Sequence, residues 1–163
     1  MKNFIYSLLF SCLACSFVNA QEISKNALGL RFGGSNGVGA EISYQRGLTE
    51  NNRLEFDLGW RNDDDFDAFK FTALYQWVWK LGGGFNWYAG AGGGLGAVDY
   101  GNDFDQRNDD DTDFFAYGAG DVGIEFNFGF PLLIALDFRP ELGFNDFSND
   151  LDFDIAFSAR YQF

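Results

Sequence analysis

The chain contains no histidine, and among its 163 residues there are only two cysteines, two prolines and one methionine. Without an imidazole there is no Ser-His-Asp arrangement, no histidine general base and no histidine metal ligand. Both cysteines, Cys12 and Cys15, stand within the first twenty residues. The chain beyond them therefore has no thiol, which removes thiol catalysis, cysteine metal sites and disulfides from the rest of the molecule. Cations are scarce as well: 11 Lys and Arg face 24 Asp and Glu, for a net charge of -13. Phosphate backbones are recognised by clustered cations, so nucleic acid is excluded as a partner. After residue 20 no uninterrupted apolar run approaches the roughly 18 residues that a membrane helix requires.

The one long apolar run is at the start. Lys2 precedes a stretch from Phe4 to Val18, and Val18-Asn19-Ala20 places small residues where a signal peptidase needs them. A positive end, an apolar centre and a small-residue exit predict a cleaved secretory signal over residues 1–20 and one domain over residues 21–163. Leu13-Ala14-Cys15 weakly suggests a lipidation box, but Cys12 sits where that box wants leucine.

What the chain does have is 21 glycines, 21 phenylalanines and an aromatic content of 20%. Its apolar residues recur at every second position, the period of a strand with one apolar face. Leu28, Leu30 and Phe32 alternate with Gly29 and Arg31; Val38, Ala40, Ile42 and Tyr44 with Gly39, Glu41, Ser43 and Gln45; Leu54, Phe56, Leu58 and Trp60 with Arg53, Glu55, Asp57 and Gly59. A fourth strand of roughly ten residues, suited to a tilted membrane strand, opposes Phe69, Phe71, Ala73, Tyr75, Trp77 and Trp79 to Lys70, Thr72, Leu74, Gln76, Val78 and Lys80. A fifth, Trp87 to Val98, is inferred mainly from its neighbours, because its glycines carry little signal. The sixth sets Phe114, Ala116, Val122, Ile124 and Phe126 against Phe115, Tyr117, Asp121 and Glu125. The seventh sets Ile134, Leu136, Phe138 and Leu142 against Asp137, Arg139 and Glu141, and the eighth sets Phe153, Ile155, Phe157, Ala159, Tyr161 and Phe163 against Asp152, Asp154, Ala156, Ser158, Arg160 and Gln162. The expectation is an all-β fold, a closed antiparallel up-and-down barrel of about eight strands.

Alternation alone does not say which face points out. In a soluble ligand-binding barrel the apolar face lines the interior; in a membrane barrel the arrangement inverts. Three features favour inversion. Trp60, Trp77, Trp79, Trp87, Tyr44, Phe126 and Phe163 fall near expected strand ends, as interfacial girdles do. Connections alternate between short turns (Leu81 to Gly84, Phe128 to Pro131, and the somewhat longer Arg46 to Asn52) and polar loops (Arg61 to Asp67, Asp99 to Asp113, Phe144 to Asp150). The charged face also carries both signs: Arg31, Arg53, Lys70, Arg139 and Arg160 among Glu41, Glu55, Asp57, Asp121, Glu125, Asp137, Glu141, Asp152 and Asp154. Turned outward at mid-bilayer, each cation would cost roughly 2 to 4 kcal/mol; turned inward, the set forms an ion network across a narrow lumen. Pro140 cannot donate a ladder bond and suggests a bulge near a rim, and the connection Gly33 to Gly37 is short for an outer loop.

The chain closes with Phe157-Ser158-Ala159-Arg160-Tyr161-Gln162-Phe163, aromatic at the last and third-last positions. This resembles the C-terminal assembly signal of bacterial outer-membrane barrels, with Phe157, Tyr161 and Phe163 as its residues. With about 140 residues and about eight strands beyond the signal, the chain is similar to the small-barrel family that includes the membrane domain of outer membrane protein A and outer membrane protein X. The resemblance implies insertion by the barrel-assembly machinery, outer-membrane lipid as the surrounding partner, and location in the bacterial outer membrane.

Gly118-Ala119-Gly120-Asp121-Val122-Gly123 matches the dinucleotide-binding fingerprint in letters, but that motif works as a strand, turn and helix, whereas here it falls inside a strand. Its glycines read instead as room for bulky neighbours such as Tyr88 and Tyr117. Asp63-Asp64-Asp65, Asp109-Asp110-Asp111 and the nearby Asp99, Asp103, Asp105 and Asp113 supply hard oxygen ligands, which makes divalent cations candidate partners of the loops, yet calcium-loop spacing is missing. Solvation of outer loops explains the same residues. Asp152 and Asp154 share a face with cations and read as lumen ion partners rather than as an acid-base pair. No catalytic, metal or cofactor residue is assigned. The expected function is non-enzymatic, in envelope structure or surface interaction, with a filled, charge-paired lumen. The alternatives are a narrow pore or conduit for small or lipophilic solutes, a lipid-modifying barrel enzyme and a soluble ligand-binding barrel.

Overall fold

The computed structural model describes residues 23–33, 39–62, 66–100, 112–144 and 151–163. The expected signal, the Asp63-Asp64-Asp65 and Asp109-Asp110-Asp111 runs, Asp103, Asp105 and Val38 lie outside the described residues. Eight strands follow one another: β1 (Asn26–Gly33), β2 (Gly39–Gly47), β3 (Asn52–Asn62), β4 (Phe66–Gly82), β5 (Phe85–Tyr100), β6 (Thr112–Asn127), β7 (Leu132–Gly143) and β8 (Leu151–Gln162). Each pairs antiparallel with the next, and β1 pairs with β8, so the barrel closes without a free edge.

The stagger of the closed ladder follows from its partners. From Ala27 the pairing runs through Gln45, Glu55, Leu74, Gly92, Ala119 and Glu141 to Asp152, whereas the β8 residue paired directly with Ala27 is Gln162. One circuit thus advances ten residues along β8. With eight strands this stagger corresponds to a strand tilt of about 40° and an interior that side chains fill. A strand so tilted climbs roughly 2.5 Å per residue, so a membrane band about 25 Å tall occupies about ten residues. β1 and β2, with 8 and 9 residues, barely reach that height, while β4, β5 and β6, with 17, 16 and 16, rise past it.

The start of β1, the end of β8 and the short turns share one rim. Asn26 and Phe163 exchange backbone hydrogen bonds of 3.1 and 2.9 Å across the seam. The β4–β5 turn is built on Gly82, Gly83 and Gly84, whose φ values of 90°, 63° and 85° lie in the left-handed region that a side chain strains to enter.

The faces are inverted relative to a soluble protein. Phe114, Ile155 and Leu95 are 75, 65 and 64% exposed on the outer wall, while Arg31, Arg53, Arg139 and Arg160 are each 1% exposed or less inside. Lys80 apart, the expected phase holds among the described residues of the strands whose alternation gave one. Trp77, Trp79 and Trp87 cluster on the turn side of the wall, Trp79 and Trp87 stacked at 4.3 Å, and Trp60 stands toward the opposite end of β3.

Several expectations are corrected. β4 has 17 residues rather than about ten, and the stretches expected as polar loops over 61–67 and 99–113 begin and end in strand. Apolar alternation fades where the wall leaves the apolar band, but backbone pairing continues beyond it. β5 is fully paired on both sides despite its glycines. Pro140 makes no bulge: β6 and β7 keep one register on either side of it, and the pairing simply lapses opposite Gly120 and Asp121. Gly120 accommodates the ring, since a Cβ there would meet Pro140 Cγ at 3.2 Å. Lys80, expected on the inward face, is exposed near the turn-side end of β4.

Candidate functional site

The functional candidate is the lumen, and each strand delivers its alternate residues to it. At the turn side the floor is mixed: the apolar Ala27, Val78, Leu133 and Ala135 and the polar Gln45, Asn86 and Asn127 are all buried. Above it Arg53 donates to Glu125 at 2.7 Å and to Gln76 at 2.6 Å, with its guanidinium 4.8 Å from the centre of the Tyr88 ring. Asn86 donates to the second oxygen of Glu125 at 3.0 Å.

The middle of the lumen is organised by three arginines. Arg139 reaches Asp57 at 2.7 Å and Glu55 at 3.1 Å. Arg160 lies 3.2 Å from Glu55 and donates to Ser43 and Ser158 at 2.9 and 2.7 Å. Arg31 pairs with Asp137, with Glu41 at 2.9 Å and with Asp154 at 2.6 Å. Gln45 and Gln76 donate to the remaining lone pairs of Glu55, at 2.6 and 3.2 Å. Toward the opposite rim Lys70 pairs with Glu141 at 2.6 Å and sits 4.9 Å from the centre of the Tyr117 ring, whose hydroxyl bonds Thr72.

Asp152, one residue from the rim-side end of β8, is exposed, and its carboxylate accepts the Phe153 backbone N–H at 2.9 Å. Asp121 is buried at 5% exposure and bonded to Gln76, but it is in no ion pair with a described cation. Among the described residues the interior holds five cations, Arg31, Arg53, Lys70, Arg139 and Arg160, and eight carboxylates, Glu41, Glu55, Asp57, Asp121, Glu125, Asp137, Glu141 and Asp154.

Sequence reasoning did not single out the neutral linkers Ser43, Gln45, Thr72, Gln76, Asn86 and Ser158. They occupy the same alternate phase as the charges, and that phase was the available signal. Of the β6 glycines expected to make room for Tyr88 and Tyr117, Gly123 does so for Tyr88, while the room for Tyr117 comes from Gly94 on β5. Phe115 lies over Gly96, Tyr117 over Gly94 and Tyr88 over Gly123, where added Cβ atoms would stand 2.1, 2.2 and 2.4 Å from those rings. The fingerprint-like glycines of β6 thus sit in a strand, packed against rings and backbone.

Phe157, Tyr161 and Phe163 project from the outer wall of β8 and its end, 47, 59 and 61% exposed. The Tyr161 and Phe163 rings are stacked at 6.3 Å beside the seam.

No family model matches the chain, and no curated protein matches it by sequence. Solved structures share its fold. The N-terminal β-barrel domain of Pseudomonas aeruginosa OprF superposes with a TM-score of 0.71 at 11% identity, covering 88% of this chain and 100% of that one. Neisserial surface protein A gives 0.59 at 12% identity, over 85% of this chain and 94% of that one. Ail, the attachment invasion locus protein of Yersinia pestis, gives 0.57 at 14%, over 88 and 99%, and has also been solved in complex with the heparin analogue sucrose octasulfate. The chain has the fold of small eight-stranded outer-membrane barrels.

Proposed function

We propose that the protein is a non-enzymatic integral barrel of the bacterial outer membrane whose filled, charge-paired lumen makes it a rigid presenting scaffold, and that it acts in envelope structure or surface interaction. The carrying observation is the inversion itself: apolar side chains face out all round the wall, and a cross-lumen ion network occupies the interior. Such a wall is stable only in lipid, and eight strands enclose space for side chains rather than a wide channel. Insertion by the barrel-assembly machinery fits the exposed aromatics Phe157, Tyr161 and Phe163 at the C-terminal seam.

The contacts at the surface differ in sign from those of a polyanion binder. Ail has been solved with a sulfated sugar analogue, whereas residues 101–111 of this chain carry Asp103, Asp105, Asp109, Asp110 and Asp111 against the single cation Arg107. Partners that are cationic, or bridged through divalent cations, suit this composition. The testing experiment has two parts: membrane fractionation, expected to leave the protein in the detergent-extracted outer-membrane fraction, and binding of cationic against sulfated ligands to cells displaying it. Recovery in the soluble periplasm overturns the membrane reading, and preferential capture of the sulfated ligand overturns the surface reading.

One observation favours a second reading, a narrow cation-preferring pore: the excess of interior carboxylates among the described residues, eight against five cations. Single-channel recording of the refolded protein in a planar bilayer separates the two. A silent membrane agrees with the filled scaffold, and reproducible discrete steps put the pore ahead.

A further inference from the structure

The segment leading into β1 does more than enter the sheet. Ile23, three residues before the strand, packs against Val78, Tyr88 and Ala135, all of which belong to the inward face. Its path is held by the backbone: the Gly47 N–H donates to the Lys25 carbonyl at 3.0 Å. Gly47 is also where the segment passes closest to β2, since a Cβ there would stand 2.8 Å from the Ser24 carbonyl oxygen and 3.6 Å from Ile23 Cγ2. An apolar side chain from outside the sheet is thus inserted against Val78, Tyr88 and Ala135 on the inward face.

We propose that residues 23–25 form a plug that seals the turn-side mouth of the lumen, with Ile23 as the stopper and Val78, Tyr88 and Ala135 as its seat. This inference rests on the filled-lumen reading and locates the barrier to water and solutes at this mouth. The physical basis is that water wets a charged cavity readily but is excluded from a narrow apolar constriction, the same effect that closes hydrophobic gates in channels. The middle of the lumen is lined with groups that attract water, whereas Ile23 with Val78, Tyr88 and Ala135 forms an apolar contact between it and the solvent at the turn side.

Cysteine accessibility in folded protein tests this, in a chain with Cys12→Ser and Cys15→Ser and one introduced thiol, using a charged water-soluble methanethiosulfonate reagent. Heat-modifiable gel mobility verifies folding of every variant. Ala135→Cys is expected to react at least ten times more slowly than Thr49→Cys in the exposed β2–β3 turn, and adding Ile23→Ser is expected to raise the Ala135→Cys rate at least tenfold. Equal Ala135→Cys rates with and without Ile23→Ser overturn the plug and leave the filled lumen standing. Ala135→Cys reacting as fast as Thr49→Cys while Ile23 is intact overturns the filled lumen and the plug together. Should Ile23→Ser fail to fold, Ile23→Cys decides: protection relative to Thr49→Cys supports a seated plug, and an equal rate overturns it.

Discussion

Arg139 on β7 reaches across the barrel to Asp57 on β3, four strands away around the wall, with 2.7 Å between Nη2 and the carboxylate. The same Nη2 lies 3.1 Å from Glu55, so one buried guanidinium holds together two carboxylates that are neighbours on one strand face. Removing it takes from buried Asp57 its paired cation and leaves Glu55 with Arg160. Arg139→Ala is therefore expected to destabilise the folded barrel by about 3 to 5 kcal/mol, read as a shift in the urea midpoint in lipid vesicles. A double-mutant cycle with Asp57→Asn is expected to show coupling, the double variant losing less than the sum of the singles. Additive losses would mean that the pair seen in the structure contributes nothing specific.

On the outer wall the expectation has the opposite sense. Ile155 stands at mid-height on β8 and is 65% exposed. If that surface meets lipid, Ile155→Arg costs roughly 2 to 4 kcal/mol, while Ile155→Ala costs far less. In a water-soluble barrel the same arginine would be neutral or would improve solubility. Denaturant unfolding of both variants in vesicles distinguishes these outcomes.

Interior packing gives a third test. A Cβ on Gly123 would stand 2.4 Å from Cζ of Tyr88 and 2.8 Å from the Leu136 carbonyl oxygen. Gly123→Ala is expected to lower stability by about 1 to 3 kcal/mol through overpacking. Tyr88→Leu in the same chain should recover part of that loss, because it removes the ring but leaves the backbone contact. No recovery at all would place the whole cost in the backbone.

At the C-terminal seam Phe163 is paired to Asn26 through its backbone, and its ring is exposed. Phe163→Ala keeps the backbone bonds, so purified protein should refold into detergent with a midpoint little changed. In cells, the amount of folded, heat-modifiable protein in the membrane fraction is expected to fall severalfold, as it would if the side chain is read during assembly. Equal loss in both settings would assign the ring a purely structural role.

The strand phase, and with it the list of inward charges, was legible because it is local. Arg53, Glu55 and Asp57 must share a face whenever the chain is extended, since the side-chain period of a strand is two. β5 was faint because Gly90, Gly92, Gly94 and Gly96 say nothing of inside or outside; only the rings of Phe115 and Tyr117 lying over two of them reveal why they are small.

The sequence by itself determined that this chain alternates, that its charged face must be hidden if its apolar face meets lipid, and that thiol and histidine chemistry are excluded from the barrel. Tertiary structure alone decided who meets whom. Arg139 finds Asp57, and Arg31 finds Asp137, because the closed ladder advances ten residues per circuit. That stagger is a property of all eight strands together, set by every pairing register at once, and no segment of the sequence carries it.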